Sequence, residues 1–199
     1  PEESMWLRTK SIEKSANKAD ILELEFKNGD IIRINKKPMT PAKILAKLNL
    51  IAGKHGIGRV DIVENRYVGI KSRGCYETPG GTIYNKAHRA IESITMDREL
   101  LHLKEDISNR YARLIYNGYW FSPERESLQK LINDSQKRVT GTVKVKLFRG
   151  NVIILGRKSP YSIDSEDLST FEADSGDYDQ RDAEGFIKVN SLRLRNKQK

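Results

Sequence analysis

Between Val63 and Thr82 the chain gathers two carboxylates, Glu64 and Glu77, three cations, Arg66, Lys71 and Arg73, and the hydroxyls of Tyr67, Ser72 and Tyr76 among the glycines Gly69, Gly74, Gly80 and Gly81. Such a mixture suits a zwitterionic amino acid. A carboxylate accepts hydrogen bonds from the ammonium, and a tyrosine hydroxyl or an arginine fork fixes the other end. The same residues also suit a salt-bridged turn, which composition alone favours. No catalytic nucleophile or base stands out. Cys75 has neither a histidine neighbour nor a clear helix start to lower its pKa, and it reads as a structural thiol. His55, His88 and His102 read as structural or solvated, and their scatter offers no metal-ligand spacing. Gly53 to Gly58 and Gly69 to Gly74 lack the lysine and hydroxyl residue that complete a phosphate-cradling loop, so they read as turns. Trp6 and Trp120, with Tyr116, Tyr119 and Phe121, are expected to pack at the core edge.

The elements that must position these residues follow from pattern. Residues 1–19 are polar and read as a linker that stays poorly ordered unless a partner holds it. Ile21 to Phe26 and Ile31 to Ile34 alternate around Asn28-Gly29, which predicts a hairpin with Ile32 and Ile34 inward. Thr40-Pro41 predicts a helix start capped by the threonine oxygen, with Ile44, Leu45, Leu48 and Ile51 inward and an end near Gly53. Arg59 to Val63 reads as a buried strand closing on Glu64, followed by Tyr67 to Ile70. After a turn at Pro79-Gly80-Gly81, helices are predicted over 86–94, 97–116 and from Ser122-Pro123 onward. Val139 to Leu147 and Val152 to Leu155 predict a second hairpin. An acidic stretch, 172–182, then leads to an amphipathic helix with Phe186, Ile187, Val189, Leu192 and Leu194 apolar and Arg193, Arg195, Lys197 and Lys199 basic. Two hairpins among several packed helices, ending in a C-terminal helix, predict an α+β fold with a mixed sheet.

With 199 residues and 37% hydrophobic content, the chain is long enough for one well-buried core. No apolar run is long enough for a membrane helix. Pro1-Glu2-Glu3-Ser4 shows neither a signal pattern nor an initiator methionine, so the start is expected to lie inside a longer protein. One cysteine fits a reduced, cytoplasmic setting. The net charge of +9 is spread along both halves with acids interleaved, and it predicts no nucleic-acid partner.

Ala52 to Arg66, running on into Lys71 to Thr82, resembles argininosuccinate synthase. The resemblance continues through Thr95 to Glu99, Trp120 to Glu124, Gly150 to Val152, Gly156 to Pro160, Tyr178 to Gln180 and Asp182 to Ile187, and so covers nearly everything after residue 20. Tyr84-Asn85 departs from it, where the family usually has a leucine and a tyrosine, as does Cys75 in place of a commoner branched aliphatic residue.

The resemblance implies an ATP-dependent ligase that joins citrulline to aspartate by way of a citrullyl-adenylate, releasing AMP and pyrophosphate. It also implies that Glu64 and Tyr76 face citrulline. ATP, with its magnesium ion, would be held mainly by an amino-terminal domain absent from these residues, and no metal or cofactor site is expected here. The implied organisation is a linker at 1–19, a synthetase domain at 20–171 and an acidic connection with an oligomerisation helix at 172–199, within a homotetramer. The chain alone is expected to be inactive. Two rivals remain: a non-catalytic oligomerisation or interaction module, indifferent to citrulline, and a basic RNA-binding domain with steep salt dependence.

Overall fold

The computed structural model describes residues 1–164, 179 and 181–195. The chain divides into two compact units, Pro1–Ile163 and Asp164–Lys199. In the first, strand β1 (Asp20–Lys27) turns through Asn28 and Gly29, both at positive φ (52° and 86°), into β2 (Asp30–Ile34). That turn matches the right-handed twist of the strands. The inward pair is Ile31 and Ile34, not Ile32 and Ile34. Glu25 pairs with Arg33 and Phe26 with Ile31, which leaves Ile32 as the extra residue of a β-bulge that breaks the alternation.

A short β3 (Lys37–Pro38) lines the edge, and helix α1 (Pro41–Lys54) follows. The Thr40 side chain does not cap this helix; its carbonyl accepts from Ile44 N instead, at 2.9 Å. Ile44 and Leu48 are buried, whereas Leu45 is exposed, contrary to expectation, because only the narrower stripe meets the sheet. The chain then forms β4 (Arg59–Asn65), β5 (Lys71–Glu77), α2 (Pro79–Thr95), α3 (Arg98–Tyr116) and α4 (Pro123–Ser135). Pro79-Gly80-Gly81 is thus the first turn of α2, not a loop before it. Gly80 comes close to α1, where Asn49 Oδ1 accepts from its amide at 2.8 Å. Asp97 and Ser122 cap α3 and α4 through their side chains.

Strands β6 (Gly141–Phe148) and β7 (Asn151–Lys158) complete a five-stranded sheet of order β3-β2-β1-β6-β7. The fold is α+β, but the sheet is not mixed: every pairing is antiparallel. A third hairpin, β4 with β5, makes a separate two-stranded sheet. One face of the large sheet buries Leu22, Leu24, Phe26, Val143, Val145 and Leu147 against α1 and α2 residues such as Leu48, Ile83 and Ile91. Tyr84, at a departure from the family pattern, pins the first hairpin turn, accepting from Ile31 N at 3.2 Å and lying 3.2 Å from Asp30 Oδ1.

Glu92 of α2 is 1% exposed and accepts from Gln136 Nε2 and Lys104 Nζ, each at 2.9 Å, which clasps α2 to α3 and to the end of α4. His55 is buried, with Nε2 2.9 Å from Asp20 Oδ2, and His88 Nε2 meets Gln136 Oε1 at 2.8 Å. The aromatics after α3 are not core: Phe121 is 88% exposed, and Trp120 lies under the Arg125 guanidinium at 4.9 Å. Gly118, at φ 83°, turns this segment away from the core. Among the described residues no helix is long and apolar enough to cross a membrane.

The polar segment 1–19 is held as a strap within this unit. Glu77 accepts from the amides of Leu7, Arg8 and Thr9 at 2.8, 2.9 and 2.8 Å, and from the Thr9 hydroxyl at 2.6 Å. Lys10 N and Ala16 N bond to the α1 carbonyls of Gly53 and Lys54, both at 3.0 Å. Gly53 is needed there, since a Cβ would stand 2.2 Å from the Arg8 carbonyl oxygen. In the second unit, α5 (Arg181–Arg195) exposes Phe186, Ile187, Val189, Leu192 and Leu194. Most of the acidic stretch 172–182, and the basic Lys197 and Lys199, lie outside the described residues.

Burial works against the Glu77 carboxylate, yet its bonds from the Thr9 hydroxyl and the strap amides outweigh this and hold its pKa below the usual value. A depressed folded pKa gives stability that is complete above the unfolded value, about 4.3, and is lost as pH falls through the folded one. Acid titration of Trp6 fluorescence in a Trp120→Phe background is expected to show strap release below that pH. The added substitution Glu77→Gln is expected to abolish this step.

Candidate functional site

The alternation of β4 and β5 sets one face of their ribbon. Val60 pairs with Tyr76, Ile62 with Gly74 and Glu64 with Ser72, so these residues share a side. Tyr76 folds back along that side over Gly74, where a Cβ would meet the ring at 2.4 Å. Its hydroxyl thereby reaches Glu64 and donates to Oε1 at 2.8 Å. The two residues singled out in the sequence meet through this diagonal contact. The strand that carries Glu64 is not buried as expected, because a two-stranded ribbon has no third strand to cover it; Ile62 and Val63 are exposed.

Glu64, Arg66, Tyr67, Val68, Tyr76 and Tyr116 line a hollow of about 410 Å³. The Glu64 side chain is only 11% exposed, and Arg66 Nε stands 3.9 Å from its Oε1. Tyr116, from the last residue of α3, presents its phenol to the same carboxylate. Hydrogen bonding to Glu64, then burial, pushes the Tyr76 phenol above its ordinary pKa. Burial first, and Glu64 second, do the same for Tyr116. Both phenols therefore remain protonated donors through neutral pH, facing a carboxylate that borders open space. The ribbon's far end is tethered by Tyr67 and Tyr119, whose hydroxyls lie 2.7 Å apart with the rings edge to face.

A larger hollow of about 680 Å³ opens between the strap and α1, but Leu7, Thr9, Ala46, Asn49 and Leu50 with three cations line it, and it contains no carboxylate or phenol. It lacks the groups that would recognise an ammonium. On the ribbon's other face, Arg73 forks onto Asp61 at 2.8 and 2.7 Å, a salt-bridged pair with half-buried Cys75 beside it. Among the described residues no three His, Cys, Asp or Glu side chains converge as a metal site requires.

The sequence matches a family described as the arginosuccinate synthase C-terminal domain over residues 1–197. The chain belongs to the argininosuccinate synthase family. It is 60% identical over 193 residues to the argininosuccinate synthase of Psychrobacter sp. (strain PRwf-1), covering 97% of this chain and 47% of that protein. It is 60% identical over 196 residues to the argininosuccinate synthase of Nitrosococcus oceani, covering 98% of this chain and 48% of that relative. The argininosuccinate synthase of Dechloromonas aromatica is also 60% identical, over 98% of this chain and 42% of its own length. The chain thus spans about half the length of the curated relatives it matches.

In this argininosuccinate synthase domain the residue that sequence reasoning missed is Tyr116. Its signal was a run of aromatics beside a glycine, Tyr116 to Phe121, on a helix end with no apolar partner to cover. Because Gly74 leaves the space that the Tyr76 ring fills, Gly74→Ala is expected to swing that ring off the ribbon. A crystal structure of the variant should show the Tyr76 hydroxyl beyond hydrogen-bond distance of Glu64, with the five-stranded sheet unchanged.

Proposed function

We propose that this chain supplies part of the citrulline site of an ATP-dependent argininosuccinate synthase, together with an assembly surface. The paired Glu64 carboxylate and Tyr76 phenol carry the proposal. Glu64 accepts from the citrulline ammonium through the lone pairs that Tyr76 leaves free, and Tyr76 fixes the carboxylate's orientation without adding charge. Support for the wider activity comes from the relatives, which bear the name argininosuccinate synthase over their full length.

In the proposed reaction the citrulline ureido oxygen attacks the ATP α-phosphorus, expelling pyrophosphate and forming citrullyl-adenylate. The aspartate amine then attacks the ureido carbon, AMP departs with the carbon–oxygen bond electrons, and the amine loses its proton to leave argininosuccinate. ATP with its magnesium ion, aspartate and the rest of citrulline fall to residues beyond this chain's share of the relatives. Preorganising an amino acid between two domains needs both of them, so the chain alone is proposed to be inactive. Cytoplasmic residence and a homotetramer belong to the same proposal.

The test uses a longer protein containing this chain, assayed by citrulline-, aspartate- and ATP-dependent pyrophosphate release. Glu64→Gln removes a charged acceptor and is expected to raise the KM for citrulline roughly 10- to 100-fold, and Tyr76→Phe about 2- to 10-fold, with the KM for ATP little changed. An unchanged citrulline KM in Glu64→Gln would remove this carboxylate from the site.

A non-catalytic assembly role is favoured by one observation, the exposed apolar residues of α5. It coexists with the ligase proposal if α5 joins subunits. Ending the chain at Gly185 is then expected to lower the oligomeric mass in light scattering, and an unaltered mass would exclude this helix from the interface.

A further inference from the structure

Among the described residues the β4–β5 ribbon has no other helix or strand as a substantial neighbour, and a two-stranded ribbon is marginal in water. Its geometry must therefore be imposed from outside. At the far end there is the Tyr67–Tyr119 contact. At the base, Arg59 and Glu77 face one another as paired residues, and both reach the strap.

Arg59 forks onto Glu3 at 2.8 and 2.7 Å, donates through Nε to the Thr9 hydroxyl at 2.9 Å and through Nη2 to the Thr9 carbonyl at 2.8 Å. Its guanidinium also lies 5.0 Å from the Trp6 ring centre. Glu77 takes three successive strap amides and the same Thr9 hydroxyl. Thr9 thus joins both clamp residues through one oxygen, and the strap is in turn bonded to the end of α1.

We propose that Arg59 and Glu77 are positioning residues, which clamp residues 3–9 to the base of the ribbon and so set the geometry of the Glu64–Tyr76 pair. The strap then acts as part of the site without touching it. This rests on Glu64 and Tyr76 being the substrate pair.

Two features make the coupling direct. Glu77 follows Tyr76 immediately on β5, so the residue that grips the strap shares a peptide bond with the one that carries the phenol. Gly58, at φ 98°, precedes Arg59, and its carbonyl accepts from Thr78 N at 2.8 Å, so the residues flanking the clamp pair meet at the same base. Glu64 lies five residues beyond Arg59, roughly 16 Å along β4, so a change of about 5° in the angle between β4 and β5 at their base shifts its carboxylate by about 1.4 Å relative to the Tyr76 phenol. Displacements of about 1 Å cost an organised site on the order of 100-fold.

The experiment follows amide exchange and the titration of carbon-13-labelled tyrosine rings by NMR in the whole 199-residue chain, with Tyr76 assigned through Tyr76→Phe. In Glu77→Gln the amides of Leu7, Arg8 and Thr9 are expected to exchange roughly 10- to 100-fold faster. The Tyr76 titration is expected to fall toward that of an ordinary phenol, about 10. Tyr84, held against the first hairpin turn, should titrate as in the parent chain and reports an intact core. Faster strap exchange with an unaltered Tyr76 titration would overturn the coupling, and so would strap amides that stay protected. Should Glu77→Gln lose the Tyr84 signature with the fold, Thr9→Val removes the shared hydroxyl and is judged by the same two readouts. No citrulline is present, so failure here is separate from failure of the citrulline proposal, which the Glu64→Gln KM decides.

Discussion

A ribbon of two strands buries too little apolar surface to hold its own twist in water, and this constraint governs everything built on β4 and β5. The ribbon escapes it by borrowing rigidity. Arg59 and Glu77 grip the strap at one end, and the hydroxyls of Tyr67 and Tyr119 meet at the other. Between these anchors the Tyr76 ring lies across Gly74 and braces the face from within. The hollow beside Glu64 lies between these anchors and is also lined by Tyr116 of α3.

Three carboxylates show how surroundings separate structural acids from an available one. Glu92 is sealed in the core with Gln136 and Lys104 on its oxygens, and Glu77 is occupied by three amides and a hydroxyl. Glu92 has no open space beside it, and Glu77 has its oxygens taken up by the strap. Glu64 receives a close donor from Tyr76, with the Tyr116 phenol also facing it and Arg66 at 3.9 Å, and its carboxylate borders an open hollow. Unused hydrogen-bonding capacity next to open space, more than charge or burial alone, is what sets Glu64 apart from the other two.

Much of the fold could be read from local pattern, because hairpins and helix starts are written in neighbouring residues. Asn28-Gly29, Asp97 and Ser122 behave as their types demand. The errors arose where a tertiary contact overrode the local signal. A bulge at Ile32 exchanged the inward residues of β2, and the packing of Gly80 on Asn49 drew an apparent turn into α2. The strap was illegible for a different reason: its grip uses the backbone amides of Leu7, Arg8 and Thr9, and amides leave no trace in composition. For the site, family likeness singled out Glu64 and Tyr76, but the strand that carries the phenol and pairs with β4 was not read from the sequence. Tyr116 came from a helix end forty residues downstream, a proximity that only the fold creates.

The strap also bears on the order in which the molecule takes shape. Its bonds to Glu77 join residues as far as 70 positions apart, and its bonds to α1 need that helix to be complete. Contacts of such separation form after local ones, because the intervening chain must first be closed into a loop. Although the strap leaves the ribosome before the ribbon, it has nothing to dock on until α1, β4 and β5 have formed. A segment synthesised before its partners is therefore among the last of this unit to settle.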